Sequence, residues 1–161
     1  MQGMKNIMLA LNVESFDEGL LKHAVGMCNH YAAKLWLVHV APYPSSFKNM
    51  DDSPGALRES VADELRMERR LLQKLADQIR GGGAEVTAKL LRGEIVKVLL
   101  EEADKLDADL IICGKHRHGF LANALGGNIS LEIIKKSRHP VLCIPLSASS
   151  TKEAERPKGK D

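Results

Sequence analysis

Short apolar runs alternate with amphipathic stretches along this chain. Five runs are rich in β-branched and aliphatic residues, and each has the length of a buried strand. The predicted strands are Lys5–Leu11, Lys34–Val40, Glu85–Leu91, Asp109–Cys113 and Pro140–Ile144. Between them, apolar residues recur at spacings of three and four, which is typical of helices that pack one face against a core. The four patterns are Leu20, Ala24, Cys28 and Tyr31; Leu57, Val61, Leu65, Leu72, Leu75 and Ile79; Ile95, Val98, Leu99 and Leu106; and Ile129, Ile133 and Ile134.

Strand–helix alternation of this kind predicts an α/β fold, an open parallel five-stranded sheet with helices on both faces. Ser53 followed by Pro54 suits the start of the second helix, and Asn128 suits the N-cap of the fourth. The glycines at 81–83 follow a helix and precede a strand, so they predict a helix end and a turn. We expect one domain over residues 1–146 and a disordered polar tail over 147–161.

Chain length, net charge and cysteine content limit the partners and compartments that the sequence predicts. The 161 residues suffice for one domain, and the net charge of +2 does not indicate a nucleic-acid surface. Three cysteines without a CxxC pair, each among apolar residues, favour a reducing compartment. No apolar run approaches the roughly 18 residues of a membrane span. These features predict a cytoplasmic protein with neither nucleic-acid nor membrane partners.

Candidate chemistry lies at the ends of strands, because open parallel sheets bind ligands beyond their carboxyl edge. Three strand ends are relevant: Asn12–Ser15, Val40–Pro42 and Gly114–Gly119. The last is rich in glycine and basic residues and leads through Gly126 and Gly127 into the fourth helix. Backbone amides at Asn128, Ile129 and Ser130 would open that helix and favour an anion such as phosphate. A flexible loop before a capped helix is the alternative interpretation.

The remaining polar residues give little indication of a metal site or a catalytic site. His116 and His118 lack a nearby carboxylate or cysteine ligand, so the sequence predicts no metal site. His39 lies inside the second strand and is expected to be a packed or solvated histidine. The charged stretch Glu59–Arg80 is expected to be a solvated helix face. No arrangement of a nucleophile with a general base is evident, so no catalytic residue is predicted.

The stretch from the fourth strand to the fifth resembles the signature region of the universal stress protein family. Its nucleotide-binding branch carries G-x-x-G, nine residues, then G-[S/T]. Gly114 and Gly127 match the first and third glycines, whereas Arg117 and Asn128 replace the second glycine and the Ser/Thr. Two flanking strands also resemble the family: Ala108–Ile111 and Pro140–Leu142. The resemblance covers about residues 4 to 146.

The resemblance implies a Rossmann-like, adenine nucleotide alpha hydrolase-like sheet with strand order 3-2-1-4-5. It also implies ATP or AMP in the cleft between strands one and four, with magnesium arriving with ATP. Asn12 stands where the family has an aspartate that engages the nucleotide, and Arg117 would pair with a phosphate. The other implied contacts are Ala10, Val40 and Cys113 at adenine and ribose, Gly114 at ribose and α-phosphate, and Gly127, Asn128, Ile129 and Ser130 at the outer phosphates.

Three functions follow as hypotheses. The first is a stress-response regulatory protein that binds an adenine nucleotide, hydrolyses ATP slowly at most, and signals as a homodimer, with a regulatory protein as a further partner. The family's dimer would pair the last strands, here Val141 to Ile144. The second is a nucleotide-independent universal stress protein that acts through protein–protein contacts. A small-molecule enzyme is the third and has the least support from the sequence.

Overall fold

The computed structural model describes residues 3–43, 55–115 and 128–146. Within these ranges, strands and helices alternate as β1 (Asn6–Ala10), α1 (Glu18–Tyr31), β2 (Lys34–Ala41), α2 (Gly55–Gly81), β3 (Val86–Arg92), α3 (Ile95–Lys105), β4 (Leu110–Lys115), α4 (Ile129–Lys136) and β5 (Val141–Pro145). All neighbouring strands pair in parallel, in the order β3-β2-β1-β4-β5. The predicted fold and strand order are confirmed, and the predicted strand ends differ from the observed ones by at most two residues. The proposed cap at Ser53 and Pro54 and the tail over 147–161 lie outside the described residues.

Side-chain alternation along the strands divides the core into two layers. Ile7 and Leu9 of β1 are buried beneath α1 and α2, whereas Met8, between them, is buried beneath α3 and α4. The same alternation holds in β2, where Leu37 packs in the layer beneath α1 and α2 and Val38 packs in the layer beneath α3 and α4. Because both faces are covered, the central strands are apolar throughout, which is why they appear in the sequence as continuous apolar runs.

The first two helices pack on one face of the sheet. Asp17 caps α1 by accepting from the amides of Gly19 at 2.6 Å and Leu20 at 3.1 Å. Helix α1 ends where Ala32 takes a left-handed conformation with φ of 54°. Helix α2 has 27 residues, and its buried residues Leu72, Leu75, Ala76 and Ile79 all lie in its second half. The first half of α2 therefore contributes little to the core.

Helices α3 and α4 cover the opposite face. Gly93 makes the turn from β3 into α3 with φ of 141°, a conformation that side chains rarely adopt. A Cβ there would also lie 2.8 Å from Val98 Cγ2, so the turn requires glycine on two counts. Glu102 of α3 is buried and pairs with Lys89 of β3, which fixes the helix against the sheet. Among the described residues, no helix is long and apolar enough to cross a membrane.

Candidate functional site

The site predicted from the sequence lies where the strand order reverses. From β1 the chain builds outward through β2 and β3 on one side, then returns to add β4 and β5 on the other. Leu9 of β1 is in register with Ile112 of β4, so β1 ends two residues before its neighbour β4. Parallel sheets leave a crevice at the carboxyl edge of this switch point, because the crossover helices leave it on opposite faces.

Backbone hydrogen bonds and the side chain of Asn12 help to hold the loop after β1. The amide of Leu11 donates to Val38 O of β2 at 3.1 Å, which extends the sheet one residue beyond β1. Asn12 Oδ1 accepts from the amide of Glu14 at 3.0 Å, and Asn12 O accepts from the amide of Ser15 at 3.2 Å. These bonds close a turn that Asn and Asp favour. Asn12 is exposed, so its side-chain nitrogen is accessible at the crevice.

A buried histidine lies beneath this loop. His39 of β2 is only 5% exposed, and its Nδ1 lies 3.2 Å from Leu11 O and 3.4 Å from the amide nitrogen of Val13. Its Nε2 lies 3.5 Å from Glu68 Oε1 of α2, whose side chain is 13% exposed. The expectation of a solvated helix face over Glu59–Arg80 is therefore wrong at Glu68. Among the described residues, His39 Nε2 and Glu68 Oε2 are buried without a hydrogen-bond partner.

The pair His39 and Glu68 was not predicted from the sequence, although the pattern of α2 contains one signal for it. The apolar series on α2 advances in steps of three and four as far as Leu65 and resumes at Leu72. The position between them on the same face is Glu68, so a carboxylate occupies a place where the period calls for an apolar residue. Helix periodicity thus predicts that Glu68 faces the sheet.

The floor of the crevice is apolar. Ala10, Val40 and Cys113 lie within the last three residues of three neighbouring strands, and all three pack with the residues beneath α3 and α4. Cys113 is in register with Cys143 of β5, and burial, with a smaller contribution from the Cys143 thiol, raises the pKa of the Cys113 thiol to about 12. The thiol is therefore uncharged at neutral pH. Cys143 is half-buried although it lies among apolar residues in the sequence, because β5 is an edge strand.

Gly114 occupies a crowded position near the end of β4. A Cβ at this residue would lie 2.8 Å from Leu146 Cδ2 and 2.9 Å from Leu146 Cδ1. Positive φ angles among the described glycines occur at Gly83 and Gly93, so Gly114 is needed for space and not for an unusual backbone angle. The amide of Leu146 also donates to Lys115 O at 2.8 Å, which holds the residue after β5 against the end of β4.

Helix α4 begins with a capped N-terminus. Asn128 Oδ1 accepts from the amide of Leu131 at 3.1 Å and from Ser130 Oγ at 2.7 Å, so the predicted N-cap is confirmed. Both polar side chains are thereby engaged with each other. The first amides of a helix have no partner within it, so the amides of Ile129 and Ser130 are the donors that remain for a ligand. Their dipoles favour an anion.

Two predicted contacts, Arg117 and Gly127, lie outside the described residues, as do His116 and His118. The structure brings the remaining eight to the carboxyl edge of the sheet or to the first turn of α4, and their roles as nucleotide contacts stay predictions. Among the residues that the structure describes, no group of three or more His, Cys, Asp or Glu side chains could hold a metal ion.

Known proteins similar to this chain share both its sequence and its fold. Universal stress protein A of Escherichia coli K12 is 27% identical over 116 residues, which cover 70% of this chain and 76% of the relative. A universal stress protein solved in complex with cAMP is 17% identical with a TM-score of 0.65, covering 91% of this chain and 100% of the other. The universal stress protein from Archaeoglobus fulgidus in complex with dAMP is 23% identical with a TM-score of 0.59, covering 89% and 99%.

These structural likenesses establish the fold, while family membership rests on the sequence. The model of the universal stress protein family matches residues 3–145, nearly the whole of the described chain. The matched region includes each strand and helix that the structure describes. The chain therefore belongs to the universal stress protein family.

Proposed function

We propose that this protein is a cytoplasmic stress-response regulator that binds an adenine nucleotide at the crevice between β1 and β4. The observation that carries the proposal is that suitable groups follow both strands of the switch point. Asn12 after β1 is exposed, Ala10, Val40 and Cys113 pack in one apolar cluster, and α4, the next helix after β4, begins with free amides. An apolar floor suits a base, and helix amides suit a phosphate.

The ligand class is supported by relatives of the same fold. Two structural neighbours were solved with cAMP and with dAMP, both adenine nucleotides with one phosphate. AMP and ATP are the ligands we propose for this chain, with magnesium accompanying ATP because a triphosphate requires charge compensation. Free thiols at all three cysteines, each described by the structure, support a reducing compartment.

The test is a calorimetric titration of nucleotide-stripped protein with AMP and with ATP, each with and without magnesium. We expect saturable binding in the micromolar range, and at a hundredfold excess over Kd about 2.7 kcal/mol of stabilisation against unfolding. Asn12→Ala should weaken binding about tenfold. Ser15→Ala is the matched control, because Ser15 is exposed in the same loop and engages Asn12 only through its backbone. No binding up to millimolar nucleotide would contradict the proposal.

We further propose that the protein acts as a homodimer through β5. This strand pairs with β4 on one side and forms an edge of the sheet. An unpaired apolar edge is prone to pair with another strand, and a second copy of Val141 to Ile144 would satisfy it. Light scattering after gel filtration at micromolar concentration should give twice the chain mass. A monomeric mass would contradict this assembly.

A nucleotide-independent protein that acts through protein contacts is the second candidate. It is favoured by α2, whose Met67 and Leu71 are 51% and 40% exposed although both are large and apolar. The two candidates differ in one observable, since partner capture should require nucleotide in the first and be indifferent to it in the second.

A further inference from the structure

Glu68 is a charged residue on the core-facing stripe of a helix. It precedes Leu72, Leu75 and Ile79, all buried, by four, seven and eleven positions, which places it on the same face of α2. Its side chain is 13% exposed, and its Oε2 has no hydrogen-bond partner among the described residues. Burying a carboxylate here costs free energy that a leucine would not, so packing alone does not account for it.

The partner of Glu68 is in contact with the loop that carries Asn12. His39 Nδ1 lies within 3.4 Å of both Leu11 O and the amide nitrogen of Val13, the residues on either side of Asn12. One ring nitrogen cannot serve both groups at once: without a proton it accepts from Val13, and with a proton it donates to Leu11. In either state the bond is made to the short peptide segment around Asn12.

The other ring nitrogen determines the orientation of the imidazole. Nε2 faces Glu68 Oε1 at 3.5 Å, and a carboxylate favours a proton on the nitrogen that faces it. With Nε2 protonated, Nδ1 is directed at the loop as the acceptor for the Val13 amide. If Nδ1 alone carried the proton, the Nε2 lone pair would face the carboxylate, which is repulsive. Glu68 thus favours the ring states in which Nε2–H faces α2.

We propose that His39 is a positioning residue of the crevice: oriented by Glu68, it fixes the Leu11–Val13 segment and so places Asn12. The pair lies on the α1/α2 side of the sheet, whereas the floor of the crevice lies on the α3/α4 side. It touches no part of the proposed ligand and acts through the loop. The effect on nucleotide affinity rests on the proposed function, but the effect on the loop does not.

A purely stabilising role and a positioning role for Glu68 predict opposite results for the variant Glu68→Leu. Replacing a buried ionic residue by an apolar one of similar size is often neutral or stabilising. If the pair served only to hold α2 on the sheet, its loss would lower the urea midpoint and leave the loop unchanged. If it positions the loop, the variant should keep its urea midpoint while the loop loosens and the nucleotide dissociation constant rises about three- to tenfold.

The experiment compares the full-length wild type, Glu68→Leu and Glu68→Gln, with Glu64→Leu as control. Glu64 is one turn earlier on α2 and exposed, so its loss should change neither loop nor binding. Amide chemical shifts and hydrogen exchange at Val13 and Glu14 report the loop directly by NMR. We expect both Glu68 variants to shift the Val13 amide and to raise its exchange rate several-fold. Glu68→Gln keeps the shape of the side chain and provides the test if Glu68→Leu folds poorly.

Each result has a definite meaning. A Val13 amide unchanged in both Glu68 variants would overturn the proposal. If the Val13 amide changes in the variants but the wild type binds no nucleotide, the positioning of the loop is supported and the proposed nucleotide-binding function is contradicted. A changed amide with an unchanged dissociation constant would overturn the role of His39 in ligand binding. Weakened binding together with a changed amide and an unchanged urea midpoint is the expected result.

Discussion

Replacement of Gly114 by alanine should destabilise the protein because the added methyl group has no room. An alanine Cβ would lie 2.8, 2.9 and 3.0 Å from Cδ2, Cδ1 and Cγ of Leu146. Carbon atoms pack best at about 3.5–4.0 Å, so three contacts are too short by about half an ångström or more. Leu146 is buried, at 9% exposure, so its side chain must be displaced from the core to relieve them.

The magnitude follows from the cost of overpacking. Extra methyl groups in well-packed sites cost about 1–3 kcal/mol. Leu146 follows β5, an edge strand, so it can yield more readily than a residue in the centre of the sheet. We therefore expect about 1–2 kcal/mol, which for a chain of this size lowers Tm by about 2–8 °C. Urea unfolding of the stripped protein measures this free energy without interference from ligand.

A double-mutant cycle identifies the clash as the cause. Leu146→Ala alone should destabilise by about 2 kcal/mol, because it removes a buried leucine side chain. In that background Gly114→Ala should cost about 1 kcal/mol less than in the wild type. Gly26→Ala is the control: Gly26 lies in α1 with open space around its Cα, so alanine there should stabilise by about 0.5–1 kcal/mol. An equal loss from Gly114→Ala in both backgrounds would refute the steric argument.

Two further predictions concern titratable groups. Hydrogen bonds from the backbone amides of Asn6 and Lys5 hold the pKa of Asp109 below its usual value. The ionised carboxylate therefore stabilises the folded protein above the unfolded-state pKa near 4. This stabilisation is lost as the pH falls through the pKa of the folded state. Asp109→Asn should lower the free energy of unfolding in urea by about 1 kcal/mol at pH 7 and by progressively less below pH 4. A difference in unfolding free energy between wild type and variant that does not change with pH would contradict this prediction. Burial raises the pKa of Cys28 to about 11, which leaves about 0.1% of this thiol as thiolate at pH 8. A thiol reagent should therefore modify the half-buried Cys143 well before the buried Cys28 in the native protein. Equal modification rates would contradict the burial of Cys28.

Periodicity was sufficient to predict the α/β class and the parallel sheet because nearly every position in each element follows one period, whereas the strand order was implied by the family resemblance. The strands are continuous apolar runs since both faces of the sheet are covered, and the helices show buried positions at spacings of three and four. The cap at Asn128 was predictable for a local reason, as its side chain bonds an amide three residues away. Such features depend on neighbours in the sequence and are therefore readable from it.

The features that the sequence did not predict depend on contacts between distant residues. The reason Gly114 must be glycine lies 32 positions away in Leu146, and the exposure of Cys143 follows from the place of β5 at the edge of the sheet. The pairing of His39 with Glu68 spans β2 and α2. In each case the specific role of the residue depends on a three-dimensional neighbour, which the sequence alone does not identify.

The arrangement around β1 has a consequence for how the crevice would respond to substitution. Its floor of Ala10, Val40 and Cys113 packs in the layer beneath α3 and α4, so changes there alter core packing and binding together. Asn12 is exposed and is positioned through its neighbours, which His39 contacts from the layer beneath α1 and α2. Substitutions on the α2 side of His39 can therefore alter affinity without altering the floor. Affinity and stability should consequently change together for variants of the floor and independently for variants of the pair His39 and Glu68.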